Sequence, residues 1–453
     1  MRSPLTYDHL KGTESFGTSK SVVRDNTNAR QRRRVLLLAD ACNPEWPSLP
    51  IVGYKYARAL AEHVDAVVVT QVRNRPNLDR ASLGRAELIY LDTEQVAAPL
   101  ANLAGALRGG VGAGWTIQTA MDYPSYVAFE RAAWRQLRRK LEAGDFDLVH
   151  RITPMSPALP SPIAHLSPVP FIIGPLNGNL PWPPGFGSEL RREREWLTYL
   201  RGAYKLLPFH RSTYRRSAAV LAAFEHTIAD LPAEARARAI NFPEVGVDPS
   251  LFSYSARTRH HRQTVLFAGR LVPYKLPEVV VQAFANSSRL QRHRLIVVGD
   301  GPERPRLEAL VRKHHLSDCV ELMGPRPQNE LGELMRQAEI FAFPSIRELG
   351  AGVVVEAMAC GMACVVVDYG GPAALVGPDR GVKVPVGDKG TLVARFTAEL
   401  EALVDDPDRT QKLGLEAHRH AMAHYTWDAK ARKTLKIYDW VLDQRGPPPK
   451  FWI

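Results

Sequence analysis

Short apolar runs recur along the chain, separated by stretches with helical spacing. Residues 35–39, 66–70, 88–91, 148–150 and 171–173 read as strands of a first series. Helical patterns run from near Gly53 to Ala61 and over 129–141. A second series begins near Gln263, with strands at 264–268, 294–298, 320–322, 340–343 and 364–367. Helical spacing at 278–284 and 304–315 lies between them, and a last helix is expected over 427–442. Apolar runs without alternation are the mark of strands buried on both faces. Their alternation with helices predicts two doubly wound α/β parallel sheets in tandem, joined near 242–252 and facing a cleft at the carboxyl ends of their strands.

Length agrees with this division, since 453 residues exceed one ordinary core and suit two domains of roughly 200 residues. The expected organisation is a disordered leader at 1–30, a first domain at 31–245, a second at 246–424, and a helix and tail at 425–453. The tail helix is expected to pack back on the first domain. The polar leader lacks the apolar centre of a secretory signal, and no apolar run approaches the roughly 18 residues of a membrane span. A cytoplasmic protein is therefore expected. Four scattered cysteines exclude a disulfide framework and read as buried thiols. The net charge of +12 favours anionic partners without choosing among nucleotides, nucleic acid and acidic lipid.

Two segments carry chemistry. The strand at 264–268 runs into Gly269-Arg270-Leu271-Val272-Pro273-Tyr274-Lys275. Arg270 offers a planar fork and Lys275 a compact charge, and both suit a diphosphate; two surface cations on a loop are the alternative. After the strand at 340–343, Glu348 and Glu356 stand eight residues apart across Gly350-Ala351-Gly352, which opens a helix. Backbone N–H groups at a helix start favour phosphate. Glu356 suits a ribose diol and Glu348 suits sugar hydroxyls. Their apolar neighbours argue against two merely solvated charges.

This segment resembles the E-x7-E signature of retaining glycosyltransferases of family 4. That family has the GT-B fold of two facing Rossmann-like domains. Gly269-Arg270…Lys275 is similar to its diphosphate clamp, Val298-Gly299-Asp300-Gly301-Pro302 to a loop of its donor domain, Gly246-Val247-Asp248 to its inter-domain segment, and Gly370-Gly371-Pro372 to a later glycine-rich loop. The resemblance implies transfer of a sugar, with retention, from a nucleotide-diphosphate sugar, in polysaccharide or glycoconjugate synthesis. It implies that Arg270 and Lys275 neutralise the leaving diphosphate, Glu348 holds the sugar and Glu356 the ribose. Gly352 and Val353 would give N–H groups to phosphate, Arg326 would lie beside the base, and Gly53 would stand in a glycine loop closing over the phosphates. The family usually carries Phe-Gly where this chain has Gly350-Ala351. Its Glu in the Gly-Gly-Pro loop is Ala374 here, and the second His of its V-H-x-H segment is Ile152. His150 remains as a catalytic candidate, with a structural histidine as the alternative.

No metal-ligand spacing and no D-x-D stand in a suitable loop, so neither a metal nor a cofactor beyond the nucleotide-sugar co-substrate is expected. On the acceptor side, Asn177, Asn179 and Trp182 follow the strand at 171–173 and suit sugar binding or a rigid structural loop. Residues 191–216 mix arginines with aromatics, which suits either a peripheral contact with an anionic membrane bearing a lipid-linked acceptor or a solvated helix face. A nucleic-acid binder would explain the charge but not the paired glutamates, and lacks a recognisable nucleic-acid motif. A non-catalytic nucleotide-sugar binder, a sugar phosphorylase and an epimerase also fit two such sheets.

Overall fold

The computed structural model describes residues 32–96, 99, 115–193, 202–257, 261–443 and 446–451. Two parallel sheets organise it. The first has the order β3-β2-β1-β4-β5-β6-β7, from β1 (Arg34–Ala39), β2 (Asp65–Gln71), β3 (Glu87–Leu91), β4 (Leu148–Thr153), β5 (Phe171–Leu176), β6 (Ser217–Ala222) and β7 (Ala239–Asn241). The second has the order β10-β9-β8-β11-β12-β13, from β8 (Thr264–Ala268), β9 (Arg294–Val298), β10 (Val320–Gly324), β11 (Ile340–Phe343), β12 (Ala363–Val367) and β13 (Gly381–Val384). In each, the order reverses beside the first strand of the series, which opens a crevice at the carboxyl ends of β8 and β11.

The central strands are buried on both faces: Val35 through Ala39 and Cys364 through Val367 are fully enclosed. Helices cover each side, so the apolar runs are continuous rather than alternating. The weakly marked strands are β6, built largely of alanine, the three-residue β7 and the edge strand β13, with its Gly-Val-Lys-Val sequence. None carries the apolar run that announces the others. All four cysteines are buried and free.

One sequence expectation is corrected. Helix Leu49–Ala61 begins before Gly53, with Pro50 in its first turn, so Gly53 stands inside a helix and not in a glycine loop. A Cβ there would come 2.4 Å from the Ala41 carbonyl oxygen and 2.9 Å from Thr153 Cγ2. Gly53 lets this helix lie directly on the ends of β1 and β4.

Among the described residues, three stretches join the two sheet domains. The first is the segment after β7, where Val247 N–H donates to Tyr425 O at 2.8 Å. The second is the returning chain, which continues into helix Trp427–Asp443. This helix packs on the first domain: Ala431, Ile437, Tyr438 and Val441 join the apolar cluster of Val35, Leu37 and Tyr56. Tyr56 Oη and Thr434 Oγ1 are 2.7 Å apart. The third stretch leaves β5 and reaches across. Phe186 is buried in the cluster of Val265, Leu271 and Phe343, Lys389 donates to Glu189 at 2.5 Å, and Arg192 pairs with Glu303.

Among the described residues, no helix is long and apolar enough to cross a membrane.

Candidate functional site

The clamp loop is fixed by backbone packing. Beyond β8, Gly269 has φ +151°, and beyond β9, Gly299 and Gly301 have φ +135° and +154°. A Cβ on Gly299 would sit 1.9 Å from Gly269 O, and one on Gly301 would sit 2.4 Å from Leu271 O. Only glycine allows the two loops this approach. Leu271 N–H donates to Asp300 O and Glu303 N–H to Leu271 O, each at 2.9 Å. Arg270 projects outward and donates to Tyr274 Oη at 3.1 Å. Lys275 is turned inward and is 8% exposed. Its ammonium lies 5.0 Å from the Phe343 ring centroid and donates to Glu348 Oε1. The pair forms because β8 and β11 are neighbours in the sheet, so the loops beyond them share one end of it.

The second arm follows β11. Ala351 adopts the left-handed conformation (φ 52°, ψ 47°) and turns the chain into helix Gly352–Ala359. The Gly352 and Val353 N–H groups belong to the open first turn of this helix. Gly371 N–H donates to Glu348 O at 3.0 Å, and a Cβ on Gly370 or Gly371 would press within 2.8 Å of the Glu348 carbonyl or 2.5 Å of the Leu349 carbonyl. The Gly-Gly-Pro turn thus braces the loop that carries Glu348. Ala351→Val should cost at least about 2 kcal/mol in chemical unfolding, because a branched Cβ clashes in this conformation, whereas Ala351→Gly should be neutral within about 0.5 kcal/mol.

Burial pushes the Glu356 carboxyl up to about 7, and Lys55 of helix Leu49–Ala61 draws it part of the way back. The second glutamate therefore faces the first domain. Its pKa is higher folded than unfolded, so its stabilising contribution is complete below pH 4.5 and is lost as pH rises through 7. Glu356→Gln should gain on the wild type by about 1 kcal/mol between pH 5 and pH 8, after allowance for the solvent at its open edge. Unfolding midpoints of both proteins at the two pH values measure this.

The first-domain candidates separate. His150 is fully buried: Nε2–H donates to Gly174 O and Nδ1 accepts from Tyr438 Oη, both at 2.8 Å. Burial lowers its pKa to about 4, only partly opposed by the Gly174 carbonyl. With both nitrogens occupied inside the core, His150 joins the sheet to the C-terminal helix, and its catalytic assignment is withdrawn. Asn179 donates to Tyr204 Oη at 2.8 Å and Asp230 Oδ2 at 2.5 Å, so its amide serves the loop and not an acceptor. Asn177 is buried and donates to Glu244 Oε1 at 2.5 Å. Trp182 reaches the second domain, where the Arg347 guanidinium lies 5.1 Å from its ring centroid. Arg326 stands apart from the cluster, beyond edge strand β10, and is 3.6 Å from Glu330. Of the basic stretch, residues 194–201 lie outside the described residues.

Residues 254–420 match the family model for glycosyl transferases group 1. The match falls within the second sheet domain. A D-inositol 3-phosphate glycosyltransferase of Stackebrandtia nassauensis is 32% identical over 223 residues, covering 45% of this chain and 49% of that protein. The chain thus spans about half the length of the curated relatives it matches. In fold, a sucrose-phosphate synthase from Thermosynechococcus elongatus matches with a TM-score of 0.60 at 18% identity, over 91% of this chain and 100% of that one. Anabaena HepE in complex with UDP and glucose matches with a TM-score of 0.54 at 17% identity, over 89% and 99%. The architecture is GT-B.

The loops beyond β8 and β11 bring Lys275 and Glu348 together, and the loop bearing Glu348 leads into helix Gly352–Ala359, whose Glu356 has Lys55 of the first domain as its charged neighbour. Two residues were not legible. Lys55 sits in an ordinary amphipathic helix, and Glu244 in the crossing segment; neither belongs to a spaced motif.

Proposed function

We propose that the chain is a retaining glycosyltransferase that moves a sugar from a nucleotide-diphosphate donor to an acceptor hydroxyl. The observation that carries this reading is the Lys275–Glu348 pair, a cation and an acid held at one crevice beside a helix start. A diphosphate would draw the Lys275 ammonium from Glu348, add the Arg270 fork, and rest against the Gly352 and Val353 N–H groups. The carboxylate so released is free for sugar hydroxyls, while Glu356 takes the ribose diol. As the glycosidic bond breaks, negative charge grows on the diphosphate, and preorganised cations stabilise it. Attack by the acceptor on the face the leaving group departs from retains the anomeric configuration. Two cations supply the charge, so a divalent ion is not required in this scheme.

HepE holds UDP, which makes uridine donors the first to test. Incubation with UDP-, GDP- and ADP-sugars should release one nucleoside diphosphate, with or without EDTA, and NMR should show an unchanged anomeric centre. Release of no nucleotide from any donor, with no binding, would overturn the proposal.

A membrane-borne acceptor is supported by the surface beyond 202. Leu206 is 88% exposed and Phe209 37%, beside the exposed Lys205 and Arg211. Apolar tips among cations suit an anionic bilayer. Co-sedimentation with phosphatidylglycerol vesicles, absent with phosphatidylcholine, is the expected result; equal recovery with both would remove it.

A further inference from the structure

Glu244 lies in the first crossing segment and is 7% exposed. Its Oε1 accepts the bond from Asn177, itself 6% exposed. Glu244 Oε2 and Asn177 Oδ1 are both enclosed with no hydrogen-bond donor facing them. Two acceptor oxygens on touching side chains are therefore left without a proton. An enclosed acceptor in that condition is unfavourable, and a carboxylate more so.

The E-x7-E loop packs directly against this carboxylate. A Cβ on Gly350 would stand 2.1 Å from Glu244 Oε1 and 2.9 Å from Val245 Cγ1. The carboxylate thus occupies the space into which any side chain at position 350 would point, and this is the position where the resembled family usually carries Phe. Burial raises the Glu244 carboxyl, opposed by the bonds from Asn177 and from a backbone N–H and by the Lys430 charge, while Glu348, two residues from Gly350 on the same loop, adds a smaller push upward. Three segments meet here: the 177–182 loop of the first domain, the crossing segment, and the loop bearing Glu348.

We propose that Glu244 and Asn177 bind hydroxyls of the transferred sugar, forming an acidic grip beside Glu348. The inference rests on the donor reading above. Its chemistry selects the sugar and not the phosphates, because a carboxylate repels a diphosphate and its unpartnered Oε2 accepts from hydroxyls. It assigns sugar specificity to a residue outside the signature.

The test is calorimetric titration of the full chain with UDP-, GDP- and ADP-sugars and with the matching free nucleotides. Glu244→Ala should bind the preferred nucleotide sugar about tenfold more weakly, the size of a lost bond to a charged group, while the free nucleotide changes less than about twofold. Asn177→Ala should shift in the same direction by a smaller factor. Glu244→Gln keeps the shape and removes the charge, and should show the same split if the alanine variant does not fold. Equal weakening of nucleotide and nucleotide sugar would reduce Glu244 to a brace of the fold and overturn the inference. Unchanged sugar-nucleotide affinity in the Glu244 variants would overturn it too. A wild-type chain that binds free nucleotides and no nucleotide sugar would instead overturn the donor reading on which it stands.

Discussion

Arg270→Ala should lower kcat on the order of 10²-fold or more while leaving the unfolding midpoint nearly unchanged. The side chain is exposed and donates to Tyr274 Oη, so its removal opens no cavity and strands no buried charge. Its expected value lies in the transition state, where charge collects on the leaving diphosphate. Removing one preorganised donor of that kind costs about 10²–10³ in turnover. Lysine at this position keeps the charge and loses the fork, so Arg270→Lys should fall between. Saturating kinetics with the donor found in the panel decide the matter. Normal turnover in the alanine variant would take Arg270 out of the site and leave Lys275 as its cation.

Lys275→Ala should be harmful in two separable ways. Glu348 and Lys275 are both largely enclosed, with 15% and 10% of their side chains exposed. Taking away the ammonium leaves a buried carboxylate alone, at a cost of about 3 kcal/mol. Turnover should also fall by on the order of 10²-fold, since the diphosphate loses its inward cation. The double variant Lys275→Ala/Glu348→Gln removes both charges together. It should recover most of the lost stability and none of the lost activity. Urea midpoints of the two single variants and the double form a cycle that isolates the pair. Additive losses of stability would show that the two groups act independently, contrary to the geometry.

The second sheet was legible in the sequence almost strand by strand, because strands enclosed on both faces must be apolar throughout. The same rule explains what escaped notice. β6 is largely alanine, and β13 lies at an edge, where one side needs no apolar cover. The meeting of Lys275 and Glu348 was readable since both follow strands at the carboxyl edge of one sheet, and neighbouring strands bring their loops together. Glu244 was not readable: its place depends on how the crossing segment meets two other loops. His150 misled for the converse reason. A histidine at the end of an apolar strand looks the same whether it opens to a cleft or is capped by a helix arriving from the far end of the chain. Gly53 misled because a glycine serving close packing under a helix resembles one serving a loop.

The stretch carrying Phe186 has a mechanical consequence. Two tethers running side by side, as at Val247 and Tyr425, would act as a simple hinge and let the halves swing widely. The third tether anchors its aromatic ring under the far half, beyond the hinge axis. A wide gape must then extract that ring, at about 1.5–3 kcal/mol, or carry the whole strap along with the second half. Small rotations need neither. Wide excursions of the two halves are accordingly opposed by a latch of one phenylalanine and two ion pairs.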